Sequence, residues 1–183
     1  MLNRKSFVLI VGIVLLFSSS TVASNFNLGV GNNNLKVTNF SFKQQDYILL
    51  DVGYGVDKYT GYGLEVLTGA KQGLLGLEYQ FLPHQLRNKR KLNYALKLGL
   101  VSGTVFNESA RSFKAGFIVE KELEMKDIYF NFDVIASSEP VIDAEVGISG
   151  KIANGILGVL GGKVITKQDE SSSSINYGIK MEF

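Results

Sequence analysis

One histidine, no cysteine and no tryptophan leave this chain few ways to do covalent or metal chemistry. The histidine, His84, follows Pro83 in the polar stretch Pro83 to Lys91 and reads as a solvated turn residue. No cluster of His, Asp and Glu has metal-ligand spacing. The absence of cysteine excludes a disulfide scaffold, a thiolate metal site and a Cys-anchored lipoprotein. Asp143 and Glu145 share a strand face and could act as an acid–base pair, but carboxylates paired with lysines across a narrow interior account for them more simply. Gly53-Tyr54-Gly55 and Gly61-Tyr62-Gly63 are not phosphate loops, because no helix follows either. We therefore expect no catalytic, cofactor or metal residue and no enzyme. One local anomaly remains, the basic run Arg87, Lys89, Arg90 and Lys91. It reads as a solvated turn; the sharper alternative is a contact with an anionic surface such as lipid headgroups.

The elements that would position any site come from composition and periodicity. The chain has 183 residues, 45% of them apolar and 20% charged, which suits one domain with a real core. Twenty glycines against two prolines suit strands and tight turns. The net charge of +2 vanishes when Arg4 and Lys5 are removed with the leader, and nothing suggests nucleic acid. Residues 1–24 form that leader: a basic start, an apolar run from Phe7 to Phe17, then small polar residues. This is the plan of a secretory signal peptide, with cleavage after Ala23 or Ser24. The apolar run is shorter than the about 20 residues a membrane-spanning helix needs.

From Asn25 to Phe183 we expect a single domain. Asn25 to Asn34 is a short strand or a loosely held arm. Ten strands then follow, at Leu35–Phe42, Asp46–Tyr54, Gly61–Gly69, Gly73–Leu82, Leu92–Val105, Arg111–Lys121, Asp127–Ser137, Val141–Ile152, Gly155–Lys167 and Ser174–Phe183. Eight remain if neighbouring segments fuse. Gly55–Thr60, Phe106–Ala110 and Gln168–Ser173 read as turns or loops, and Asn154-Gly155 is a type I′ hairpin signal. No long crossover and no helical period interrupts the meander. The last strand alternates most cleanly, with Tyr177, Ile179, Met181 and Phe183 on one face and Asn176, Gly178, Lys180 and Glu182 on the other.

Alternation alone does not say which face is inside. A soluble sandwich or lipocalin-like barrel turns its apolar face inward; an outer-membrane barrel turns it outward. Full apolar faces such as Leu75/Leu77/Tyr79/Phe81 and aromatics near strand ends such as Tyr54, Tyr62, Phe81, Phe113 and Phe183 favour the second arrangement. The opposite faces then line a lumen. Its candidate charges are Glu65, Glu78, Lys97, Lys114, Glu120, Asp133, Asp143, Glu145, Lys151 and Lys180, which must pair because a lone charge there is costly.

The closing strand resembles the C-terminal signal of Gram-negative outer-membrane β-barrels, a terminal Phe preceded by alternating aromatic and aliphatic residues. The run from Lys114-Ala115-Gly116 through Ser138-Glu139-Pro140 to Val146-Gly147-Ile148, with the final strand, also resembles the YfaZ-type outer-membrane family. The chain departs from it in lacking Trp and in the plain Gly161-Gly162-Lys163-Val164 segment. The first resemblance implies an all-β, antiparallel up-and-down transmembrane barrel in the cell outer membrane, surrounded by lipid. Such a barrel is assembled by the barrel-assembly machinery through Tyr177, Ile179, Met181 and Phe183. We expect a monomer with a structural or narrow-pore, porin-like role. The alternatives are an outer-membrane lipid-modifying enzyme and a soluble exported ligand-binding barrel.

Overall fold

The computed structural model describes residues 33–69, 72–82, 93–105, 108–123, 126–168 and 170–183. The leader, residues 25–32 of the expected Asn25–Asn34 arm, His84 and the basic run at 87–91 lie outside the described residues, while Asn33 and Asn34 open the first strand.

Each described strand pairs antiparallel with its neighbour in sequence, and the first closes on the last. The strands are β1 Asn33–Phe42, β2 Gln45–Asp57, β3 Thr60–Gly69, β4 Gln72–Phe81 and β5 Asn93–Val105. They continue as β6 Glu108–Glu122, β7 Lys126–Ala136, β8 Val141–Ala153, β9 Ile156–Lys167 and β10 Glu170–Glu182. Ten strands therefore form one closed barrel, and the eight-strand count is excluded. Closure removes sheet edges, the liability of any open meander.

Local chemistry sets the tight hairpins. Lys43 and Gln44 both have positive φ, 49° and 62°, the pattern of a two-residue turn whose twist matches the strands it joins. At Asn154-Gly155 only Gly155 has positive φ, 69°, so this turn is not the type I′ that its sequence signals, and the ladder beside it shifts register between Lys151 and Ala153. All three expected loops prove to be partly strand, and Glu108–Ala110 belong to β6, paired as Val105↔Glu108 and Gly103↔Ala110. Ser171–Ser173 ladder with β9, as Ser171↔Thr166 and Ser173↔Val164, because an available neighbouring strand outweighs the weak strand preference of Ser. Val56 and Asp57 likewise extend β2, with a register shift between Gly55 and Asp57.

The two faces have opposite chemistry. Leu75, Leu77, Leu98, Leu100, Val146 and Ile148 are exposed on the outer wall, and Phe113 reaches 72% exposure. Alternate positions are buried inside and carry charge, among them Glu78, Lys97, Lys114, Asp133, Glu145 and Lys163. Burying apolar surface drives soluble folding, so an outer wall of Leu, Ile, Val and Phe has no aqueous explanation.

Outer aromatics gather near the end that holds Asn33 and Phe183, here the terminal end. Tyr62 lies 5.3 Å from Tyr79, and Tyr79 stacks on Phe81 at 5.6 Å. A second group, Phe117, Phe130 and Phe132, sits mid-wall with ring centroids 5.5 to 5.7 Å from Phe117. Rings at such offsets gain about 1 kcal/mol each beyond their buried area.

Candidate functional site: a lumen closed by ion pairs and an apolar plug

The lumen is filled by side chains from every strand. Its middle is a charged belt in two groups. In the first, Lys114 Nζ lies 2.5 Å from Glu65 Oε1 and 2.6 Å from Glu78 Oε2, bridging β6 to β3 and β4. Lys97 Nζ lies 2.7 Å from Asp133 Oδ2 and 3.7 Å from Glu78 Oε2, and also donates to Asn131. Gln80 donates to Glu78 at 2.8 Å, and Asn131 to Asp133 at 3.1 Å. Two lysines thus hold three carboxylates across five strands, with amides taking some of the remaining lone pairs. Buried charge is tolerated on those terms.

The second group crosses the barrel-closing seam. Glu145 on β8 accepts from Lys36 at 3.2 Å and from the Tyr129 hydroxyl at 2.5 Å. Lys163 lies 2.6 Å from Asp143 Oδ2 and 3.6 Å from Glu145 Oε2. Lys36 also sits 4.8 Å from the Tyr129 ring centroid, and Lys163 5.0 Å from that of Phe40. Such cation–ring contacts add roughly 0.5–2 kcal/mol where water is excluded. Asp51 completes the belt between its register partners Lys36 and Glu65. Nearer the terminal end, Lys180 Nζ is 3.1 Å from Glu182 Oε1, off the line of a hydrogen bond, and Glu120 is fully buried.

Above the belt, at the hairpin end away from the termini, the lumen turns apolar. Phe40, Phe42, Tyr47, Leu67, Leu74, Val101, Val141 and Ile165 are buried in one cluster, with Leu49 and Ile135 packed against it. Phe40 stacks on Tyr47 at 5.6 Å. A cavity of about 90 Å³, bordered by both belt and plug, is the space left between them. It is large enough for a few ordered waters and too small for a continuous aqueous channel.

Of the charges expected in the lumen, Glu78, Lys97, Lys114, Glu120, Asp133, Glu145 and Lys180 are buried, and Glu65 and Asp143 are partly so. Lys151 is not among them. It is exposed at the end of β8, beside a register shift between Lys151 and Ala153 that takes the chain out of the ladder. In the closing strand, Tyr177 and Ile179 are exposed on the outer wall, whereas Met181 is buried beside its register partner Leu35. Sequence reasoning missed Lys36 and Tyr129 as belt members and missed the plug. A signal was available: Leu67, Val101 and Ile165 each lie two residues from Glu65, Gly99 and Lys163 and so share their inward face. Among the described residues, no group of His, Asp or Glu is arranged to hold a metal ion.

No protein-family model and no curated protein matches the chain. Among solved structures, it is similar to the KdgM porin, with a TM-score of 0.54 at 9% identity over 82% of this chain and 99% of that one. The fold is that of a porin-like barrel. The N-terminal β-barrel domain of Pseudomonas aeruginosa OprF gives a TM-score of 0.42 at 7% identity, over 85% of this chain and 99% of that one. At such identities the likeness of a porin-like barrel is one of architecture. The luminal residues of this chain are its own and set what the barrel can do.

Proposed function

We propose that this chain is a small, monomeric integral protein of the outer membrane, a porin-like barrel whose lumen is closed at rest. One observation carries the reading: a closed barrel with an apolar outer wall and a charged, hydrogen-bonded interior. A closed barrel satisfies every backbone group internally, which the hydrocarbon region demands, and the outer wall then meets lipid. In this reading the terminal end faces the periplasm, and Tyr177, Ile179 and Phe183 engage the barrel-assembly machinery. The opposite end of the barrel, with the described connections at 43–44 and 137–140, faces outward. A leader at residues 1–24 fits export. The YfaZ-type likeness stays a proposal resting on sequence spacing.

Belt and plug together favour a structural barrel or a narrow, gated pore over an open diffusion channel, and we assign no catalytic role. The test is electrophoretic mobility of isolated outer membranes with and without boiling. A heat-dependent shift supports the reading; a periplasmic protein with unchanged mobility overturns it. Planar-bilayer recording then separates the two roles, with rare small steps for a gated pore and none for a structural barrel.

A further inference from the structure

We propose that the lumen passes small monovalent cations and turns anions away, with Asp51 as the charge that sets this preference. The proposal deepens the narrow-pore reading and rests on it. The belt sets six carboxylates, Asp51, Glu65, Glu78, Asp133, Asp143 and Glu145, against the four lysines of its two ion-paired groups. Toward the terminal end, the buried Glu120, Asp127 and Glu182 are set against Lys180. Among the described residues, the interior therefore carries an excess of negative charge.

Asp51 is where that excess is most accessible. Its register partners are Lys36 and Glu65. Lys36 is drawn across the closing seam to Glu145 at 3.2 Å, and Lys114 is held by Glu65 and Glu78 at 2.5 and 2.6 Å. Among the described residues, no ion pair or hydrogen bond engages the Asp51 carboxylate. Asp51 is half-buried and borders the cavity between belt and plug. Asp133 and Asp143 border the same cavity. Each has one carboxylate oxygen, Oδ1, buried without a hydrogen bond, and Asp133 is only 5% exposed.

Unbalanced carboxylates between low-dielectric walls focus a negative potential along a narrow passage. Rings of Asp and Glu select cations in channels by the same means. Among the described residues, no group is arranged to chelate a metal ion. The excess thus acts through its field, and an ion can leave as well as enter. A cavity of about 90 Å³ admits an ion with only a few waters. Mg²⁺ dehydrates reluctantly, which favours monovalent ions.

The test uses the full chain with Phe40→Ala and Phe42→Ala, recorded in a planar bilayer under a KCl gradient. The reversal potential should show K⁺ passing about tenfold more readily than Cl⁻. Equal passage or a preference for Cl⁻ overturns the proposal. So does a silent bilayer from protein that keeps its heat-dependent mobility shift, because no ion then crosses the belt. Loss of that shift counts instead against the barrel reading. Adding Asp51→Asn should cut the preference for K⁺ several-fold, and Asp51→Glu should restore it. A preference unmoved by Asp51→Asn overturns the role of Asp51.

Discussion

Tyr129 lays its ring over Gly147, its register partner on β8, and its hydroxyl donates a hydrogen bond to Glu145, two residues back along that strand. A Cβ on Gly147 would stand 2.5 Å from the Tyr129 hydroxyl oxygen and 2.6 Å from Cζ. The ring has nowhere to retreat, because Tyr129 is only 1% exposed. Gly147→Ala should therefore destabilise the barrel by about 1–3 kcal/mol, the range for overpacking a filled interior. The temperature at which the folded form is lost in detergent, read by mobility, checks it. Tyr129→Ala, which vacates the space, should remove most of the added penalty of Gly147→Ala in a double-mutant cycle.

Among the described residues, Lys114 is the cation that bridges Glu65 and Glu78, at 2.5 and 2.6 Å. Lys114→Met takes from Glu65 its ion pair and leaves Glu78 with Lys97 at 3.7 Å and the Gln80 amide, both carboxylates in a low-dielectric interior. The expected cost is about 3–5 kcal/mol, that of orphaning buried charges. Lys43→Met, which breaks an exposed pair, should cost under about 1 kcal/mol. Urea titration in detergent compares the two; equal midpoints would contradict the belt as drawn.

The outer wall predicts a depth-dependent penalty. Leu98 lies mid-strand on β5 between the exposed Leu96 and Leu100. Leu98→Arg should cost about 2–4 kcal/mol in a bilayer, as cations do on the lipid face of membrane barrels. In a soluble barrel the same exposed change would be nearly neutral. Folding titrations into lipid vesicles distinguish these outcomes.

Phe40 and Phe42 supply two of the plug's three rings. Phe40→Ala with Phe42→Ala should turn rare or absent conductance steps into frequent ones in planar bilayers. The charged belt, still in place, should keep each step small. A silent double variant that retains its heat-dependent shift would show that the belt alone closes the lumen.

Phe183 carries the last prediction. Its amide donates to the Asn33 carbonyl at 3.0 Å, extending the closing seam past its final register pair. Deleting Phe183 shortens the barrel's shortest ladder and removes the ring that the assembly reading requires. The fraction of protein reaching the heat-modifiable form should fall several-fold, measured on isolated membranes.

Period-two alternation determined the element type and the partition of each strand into two faces, while closure decided between eight strands and ten. Strand sterics place neighbouring side chains on opposite sides whatever surrounds them. The Gly155–Lys167 stretch shows the limit of that information. It has aliphatics on both faces, and the structure sends Leu157, Val159 and Ile165 inward while Leu160 and Val164 face out. Closure decided the rest. Lys36 meets Glu145 across 109 residues of sequence because β1 returns to β10, and Lys114 meets Glu65 across 49. Those partners depend on strand number, register and stagger around the barrel. None of these is encoded in a single strand, so most of the belt's charges could be read locally, while Lys36, Tyr129, the pairing and the plug were decided by the tertiary structure.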